Sequence, residues 1–279
     1  MKIKLAKSAG FCFGVKRAID IALKTAASNK NVYMLGDIVH NEVVVRLIQR
    51  AGIKRISRLA CGKNKTLLIR AHGSCLATLQ KAIRLGYKIS DATCPMVKEI
   101  QRIAQQMEEK GCKIIVIGDK KHDEVHGITG HLKGRAIVIE NIRRVPVGTL
   151  KNTKKAAVVA QSTQNLDRVL KIVKLLKLYI KDLKFFNTIC KPTRQRQEEI
   201  KRMPLKNDVM IIIGSKNSAN TKRLYEISKS LNNRSYWVSS RKDIKRSWFN
   251  TAESVGITAG ASTPDSTTRD IIKYIGQIT

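Results

Sequence analysis

The stretch Tyr87-Lys88-Ile89-Ser90-Asp91-Ala92-Thr93-Cys94-Pro95 decides the fold. Its apolar start, Tyr87–Ile89, reads as a strand; a single cysteine closes the segment, and helix-like spacing follows. The same order occurs where Ile3–Leu5 leads to Gly10-Phe11-Cys12-Phe13-Gly14 and where Phe185–Phe186 leads to Asn187-Thr188-Ile189-Cys190. Cysteines at equivalent places in distant units can converge when the units close around an axis. Thiolates that converge in this way usually hold a metal centre.

Working outward, two more strand types repeat. Tyr33–Leu35, Ile114–Ile117 and Met210–Ile213 each run into a polar loop: His40-Asn41-Glu42, His122-Asp123-Glu124 and Asn217-Ser218-Ala219-Asn220. Leu67–Ile69, Ala157–Ala160 and Val255–Ala259 each run into a small loop: Ala71-His72-Gly73, Gln161-Ser162-Thr163 and Gly260-Ala261-Ser262. Continuous apolar runs such as Ile211–Ile213 suit strands covered on both faces, as in parallel α/β sheets. The expected fold is α/β, with three similar units of mainly parallel sheet. The first unit covers residues 13–95 and the second 96–190. The third covers 191–279 and lacks its last strand, which residues 1–12 would supply.

At 279 residues a substantial core can be buried. No stretch is long and uncharged enough to span a bilayer, and Lys2, Lys4 and Lys7 interrupt any signal-peptide core, so a cytoplasmic protein without a membrane partner is expected. The six cysteines form no Cys-x-x-Cys pair, which argues against zinc ribbons and thioredoxin-like motifs. Cys61, Cys75 and Cys112 read as fillers or incidental thiols. The net charge of +33 draws polyanions, but its lysines and arginines are spread along the chain. Aromatics are 5% of residues and no nucleic-acid-binding motif is present, so no nucleic-acid partner is expected.

His40, His72 and His122 follow strands of the repeat, where open α/β sheets gather their ligands; imidazole donors there suit a phosphate. The third unit offers neutral donors, Ser218, Asn220 and Ser262, and Ser262-Thr263-Pro264-Asp265 reads as a helix start with proline at the first helical position. Glu124 in a dry pocket would act as a general acid. Three thiolates leave a tetrahedral site one ligand short. That describes a hydrolytic zinc as well as a cubane with one open iron, and all-sulfur ligation favours the cubane. The competing readings are a zinc hydrolase and a basic nucleic-acid-binding protein with incidental cysteines.

Ala9-Gly10-Phe11-Cys12-Phe13-Gly14-Val15, His40-Asn41, Ala71-His72-Gly73, Asp91-Ala92-Thr93-Cys94-Pro95, His122-x-Glu124-Val125-x-Gly127, Thr188-Ile189-Cys190, Gly214-Ser215-Lys216-Asn217-Ser218 and Ala259-Gly260-Ala261-Ser262 occur in this order. Together they resemble the signatures of the 4-hydroxy-3-methylbut-2-enyl diphosphate reductase (LytB) family, over residues 1 to about 276. The resemblance implies a pseudo-threefold cloverleaf around one [4Fe-4S] cluster per chain, held by Cys12, Cys94 and Cys190. It implies reductive dehydroxylation of an anionic diphosphate substrate, the last step of the methylerythritol phosphate route to isoprenoids. Isopentenyl and dimethylallyl diphosphate would be the products, and a flavodoxin- or ferredoxin-type protein the electron donor. Glu124 matches the residue delivering protons, and Thr163 the residue that hydrogen-bonds near it and the substrate hydroxyl. His40, His72, His122, Ser218, Asn220 and Ser262 match the diphosphate clamp, and His122 also a helper in proton transfer. Two places depart from the family pattern. Ala219 stands where a second serine is usual, and Lys191-Pro192-Thr193-Arg194-Gln195 replaces a stretch that usually carries asparagine at the position of Gln195.

Overall fold

The computed structural model describes residues 1–278. After β1 (Lys2–Leu5), residues 32–91 supply β2 (Val32–Leu35), β3 (Lys54–Ile56), β4 (Thr66–Ile69) and β5 (Lys88–Asp91). Residues 113–185 supply β6 (Lys113–Ile117), β7 (Ile137–Ile139), β8 (Lys155–Ala160) and β9 (Asp182–Phe185). The remainder supplies β10 (Val209–Ile213), β11 (Ser235–Val238) and β12 (Ser254–Ala259). They form three four-stranded sheets, ordered β3-β2-β4-β5, β7-β6-β8-β9 and β11-β10-β12-β1. Every pairing is parallel.

The three orders are one order. In each, a strand leading to a polar loop pairs with a strand leading to a small loop, and that strand pairs with the strand that leads to a cysteine. The third sheet takes its cysteine strand from the N-terminus: Ile3 stands opposite Val255 and Leu5 opposite Ile257. Each sheet also carries a short outer strand, β3, β7 or β11, which the sequence repeat does not show.

The chain falls into two compact units. One comprises Met1–Lys16, Val39–Leu47 and the chain from Lys191 onward; the other comprises Arg17–Ile38 and Ile48–Cys190. The first holds the sheet of β10, β11, β12 and β1, and the second holds the other two sheets.

Burial follows the strand period of two. On β6, Ile115 and Ile117 pack with Val169, Ile172 and Leu176 of a helix spanning Leu166–Leu176. Ile114 and Val116 face the other way, onto Ile100, Ala104 and Met107 of a helix spanning Pro95–Glu109. On β10, Ile211 and Ile213 pack with Ile271 and Ile275, while Met210 and Ile212 pack with Leu224 and Ile227. Both faces of these strands are dry, which is why their sequences run apolar without alternation. Each such buried aliphatic side chain contributes roughly 1.5–3 kcal/mol. Cys112 lies in the second of these β6 clusters, as a small apolar filler.

Candidate functional site

Each expected metal-ligating cysteine stands immediately before a helix. Cys12 precedes α1 (Phe13–Ser28), and α2 (Glu42–Arg50) and α3 (Leu76–Arg84) follow the loops of the first sheet. Cys94 precedes α4 (Pro95–Glu109), with Pro95 at its start, and α5 (Asp123–Thr129) follows β6. After α6 (Val147–Lys151) and α7 (Leu166–Leu176), Cys190 precedes α8 (Lys191–Ile200). The last two helices are α9 (Ala219–Leu231) and α10 (Asp265–Ile278). Pro264 therefore sits just before α10 instead of opening it, its carbonyl accepting from Thr268 N–H at 3.2 Å. Expected and observed starts differ by one residue, because the carbonyl of Pro264 accepts from Thr268 as that of Cys94 accepts from Lys98, which makes Pro264 the residue before the first turn.

The backbone of each cysteine is fixed in one way. The small loops are hydrogen-bonded turns: Gly73 N–H to Arg70 C=O at 3.0 Å, Gln164 N–H to Gln161 C=O at 3.0 Å and Thr263 N–H to Gly260 C=O at 2.9 Å. The second residue of each turn accepts from the cysteine. Cys94 N–H meets Ala71 C=O at 3.0 Å, Cys190 N–H meets Ser162 C=O at 3.1 Å, and Cys12 N–H meets Ala261 C=O at 3.1 Å. The third residue of each turn is His72, Thr163 or Ser262, so these three expected site residues are structurally equivalent.

Side chains lock the approaches to the cysteines. Asp91 accepts from Thr93 N–H at 2.9 Å, and Asn187 accepts from Ile189 N–H at 3.4 Å, an Asx turn before each cysteine. Burial pushes the Asp91 carboxyl up, but hydrogen bonds from Lys98 and Thr93 outweigh it and hold the group below the usual carboxylate range. Before Cys12, Gly10 adopts φ of +90°, and a Cβ there would lie 2.7 Å from Asp265 Oδ1. The Gly10 carbonyl accepts from buried Arg196 of α8 at 2.6 Å.

In the unit that holds Cys94 and Cys190, the loop after β6 carries His122 as the cap of α5. His122 Nδ1 accepts from Glu124 N–H at 3.1 Å, so the neutral ring carries its proton on Nε2 and can present it to an anion. The His72 and His122 rings meet edge to face with centroids 5.3 Å apart. Glu124 is 1% exposed. Its Oε1 accepts from Ser162 N–H at 2.6 Å and its Oε2 from Ser162 Oγ at 2.7 Å. Burial pushes the carboxyl above its ordinary value, and the two Ser162 hydrogen bonds oppose it without cancelling it. A carboxyl shifted in this direction keeps its proton to higher pH than one in water.

Thr163 is expected to hydrogen-bond near Glu124 and the substrate hydroxyl; in this structure the bonds to Glu124 itself come from its neighbour Ser162. Ser162 and Thr163 are successive central residues of one turn, and their side chains take different partners. Thr163 Oγ1 accepts from Gln161 Nε2 at 3.2 Å, while Gln161 Oε1 accepts from Asp119 N–H at 2.9 Å. The signal for Ser162 is present in the repeat, where the matching turn positions are Ala71 and Ala261 and only this one carries a hydroxyl. Arg196 was also missed, because its partner is a backbone carbonyl far away in sequence.

The other unit brings His40, Ser218, Asn220 and Ser262 together. Ser262 Oγ donates to the His40 carbonyl at 3.3 Å, and Ser215 Oγ donates to Glu42 Oε1 at 2.9 Å, which ties the His40 loop to the loop after β10. Asn41 caps α2, its Oδ1 accepting from Val43 N–H at 3.0 Å. Ser218 caps α9, its Oγ accepting from Thr221 N–H at 3.3 Å. Asn220 is 5% exposed, and its Nδ2 has no hydrogen-bond partner among the described residues. A buried amide donor left unpaired is costly, and an anionic ligand would satisfy it.

Known proteins supply the comparison. A family model described as LytB protein matches residues 3–276. The 4-hydroxy-3-methylbut-2-enyl diphosphate reductase of Geobacter sulfurreducens is 41% identical over 278 residues, covering 99% of this chain and 97% of the relative. The protein of that name from Campylobacter hominis is 40% identical over 277 residues, covering 99% and 98%. A solved (E)-4-hydroxy-3-methyl-but-2-enyl diphosphate reductase, described as the terminal enzyme of the non-mevalonate pathway, matches with a TM-score of 0.73 and 37% identity, covering 99% of this chain and all of that one. The solved E-1-hydroxy-2-methyl-but-2-enyl-4-diphosphate reductase of Plasmodium falciparum matches with a TM-score of 0.89 and 27% identity, covering 98% and 87%. With its motifs, its sheets and nearly its whole length in agreement, this chain belongs to the LytB protein family.

Proposed function

We propose that this protein is an iron–sulfur reductase that removes the hydroxyl of 4-hydroxy-3-methylbut-2-enyl diphosphate to give isopentenyl and dimethylallyl diphosphate, closing the methylerythritol phosphate route. In this reading the modules 13–95, 96–190 and 191–279 with 1–12 contribute one ligand each: Cys94, Cys190 and Cys12. The observation that carries the reading is the repeated cysteine geometry. Three cysteines follow equivalent parallel strands and precede equivalent helices, and their backbone N–H groups bond equivalent turn carbonyls. The donor set fits an iron–sulfur cluster, since it is all sulfur and each thiol stands at a helix start, where the dipole favours negative charge.

A [4Fe-4S] cluster held by Cys12, Cys94 and Cys190 would supply Lewis acidity and electrons. The work of the chain is binding and proton supply. His40, His72, His122, Ser218, Asn220 and Ser262 donate to the diphosphate, and Asn220 Nδ2 gains the partner it lacks. Fixing the diphosphate orients the far hydroxyl, which converts binding into positioning. Thr163, at the turn position shared with His72 and Ser262, faces the same task. Glu124 holds a proton in a dry setting and delivers it, Ser162 fixes both its oxygens, and His122 stands two residues away to assist. In balance, two electrons and two protons enter and one water leaves. An acidic flavodoxin- or ferredoxin-type donor fits the +33 charge of the chain.

Iron and acid-labile sulfide per chain, measured after strictly anaerobic purification, test this reading. Both should approach about four, as a cubane requires, and reductant-driven turnover of the substrate should accompany them. Absence of both after reconstitution would overturn it.

A further inference from the structure

Arg70 follows the strand β4 and opens the turn that presents His72. Its carbonyl accepts from Gly73 N–H at 3.0 Å, which sets that turn. Its guanidinium leaves the turn and pairs with Asp123 Oδ2 at 2.8 Å. Asp123 sits between His122 and Glu124, so one side chain ties the His72 turn of one sheet to the His122 loop of the next. The path needs a glycine. Gly36 at the end of β2 has φ of +81°, and a Cβ there would lie 2.6 Å from the guanidinium Nη1. The pair is partly shielded, with side-chain exposures of 19% and 30%, so solvent screens it less than a surface pair.

We propose that Arg70 is a positioning residue for the anion site of this unit. It braces His72 against His122, and it neutralises a carboxylate that would otherwise face the bound anion from beside His122. The inference rests on the diphosphate reading above. A negative charge close to two imidazoles meant for phosphate is a defect unless it is cancelled, and the Arg70 guanidinium is a cation placed against it. Removing the cation alone therefore does more harm than removing both members of the pair.

The test is a double-mutant cycle on the cluster-loaded enzyme, purified anaerobically. It reads inorganic pyrophosphate binding by calorimetry and substrate KM and kcat by turnover. Arg70→Gln should weaken pyrophosphate binding and raise KM by about five- to tenfold, the size of one uncancelled charge in a partly shielded site, with kcat within about threefold. Asp123→Asn alone should bind pyrophosphate as well as the wild type or better. The double variant should recover most of the Arg70→Gln loss. If Asp123→Asn weakens binding as much as Arg70→Gln and the double variant recovers nothing, the charge-cancelling role is overturned and the pair is only structural. If Arg70→Gln leaves pyrophosphate binding unchanged, the proposal fails by itself. A wild-type enzyme that binds no pyrophosphate and turns over no substrate would overturn the diphosphate reading and this inference with it.

Discussion

Ser162 holds both carboxylate oxygens of Glu124, one through its backbone N–H at 2.6 Å and the other through Oγ at 2.7 Å. The two bonds together hold both oxygens of the carboxyl in place, so Ser162 sets where the proton is held. Ser162→Ala removes one bond and leaves the backbone bond in place. It should lower kcat by about tenfold, the cost of one hydrogen bond to a charged or proton-sharing group. Thr163→Ala, whose side chain bonds Gln161 instead, should act mainly through KM. Steady-state kinetics of the two variants decide; equal losses in kcat would remove the distinction.

The state of Glu124 also has a signature in stability. Burial raises its proton affinity, so the native protein holds this proton at pH values where the unfolded chain has released it. That contribution to stability is fully present below the ordinary carboxyl value of 4.5 and is lost as pH rises through the raised native value. Glu124→Gln cannot ionise, and the cost of putting an amide beside the Ser162 donors is the same at every pH. The melting temperature of the variant relative to the wild type should therefore climb as pH rises from the ordinary carboxyl value of 4.5 towards the raised native one. A flat difference across that range would mean that the carboxyl ionises as it does in water. Turnover by the same variant should fall by at least about a hundredfold, as expected on losing a general acid.

The sheets were legible because their strands are buried on both faces. Ile114–Ile117 and Met210–Ile213 have to be apolar throughout, and the cysteine that follows each third strand punctuates the repeat. The outer strands were not legible. β3 reads Lys54-Arg55-Ile56, with two exposed charges in three residues, and only pairing with β2 makes it a strand. At the site, the histidines and cysteines stood out as candidates because their chemistry is scarce in the chain. Ser162 was missed because a turn sends adjacent residues in different directions, and spacing alone does not say which of Ser162 and Thr163 turns towards Glu124. Arg70 and Arg196 were missed for a related reason: among so many lysines and arginines, an arginine with a structural partner looks like any other.

Ala219 opens α9, between the Ser218 cap and the buried Asn220. A serine here would add a hydroxyl to the helix start that is proposed to receive the diphosphate. Ala219→Ser should lower substrate KM by about two- to fivefold, as one added hydrogen bond predicts, with kcat little changed. An unchanged or higher KM would show that this helix start does not meet the substrate.

Arg196 should govern the Cys12 loop more than overall folding. Its Nη2 donates to the Gly10 carbonyl at 2.6 Å and its Nη1 to the Pro192 carbonyl at 3.0 Å, from a side chain buried in α8. Gly10 has its positive φ and Asp265 on the other side, so the loop has little freedom while the arginine is in place. Arg196→Met keeps the apolar stem and frees the carbonyl, at a cost of roughly 1.5–3 kcal/mol for each hydrogen bond to a charged donor. Loss of loop order two residues before a proposed ligand should show as iron loss: on anaerobic dialysis against a chelator, the variant should release iron at least about tenfold faster than the wild type. Arg196→Lys, which restores a donor without the planar fork, should lie between the two. Wild-type release rates in Arg196→Met would mean that the Cys12 loop is held by Asp265 and the strand pairing alone.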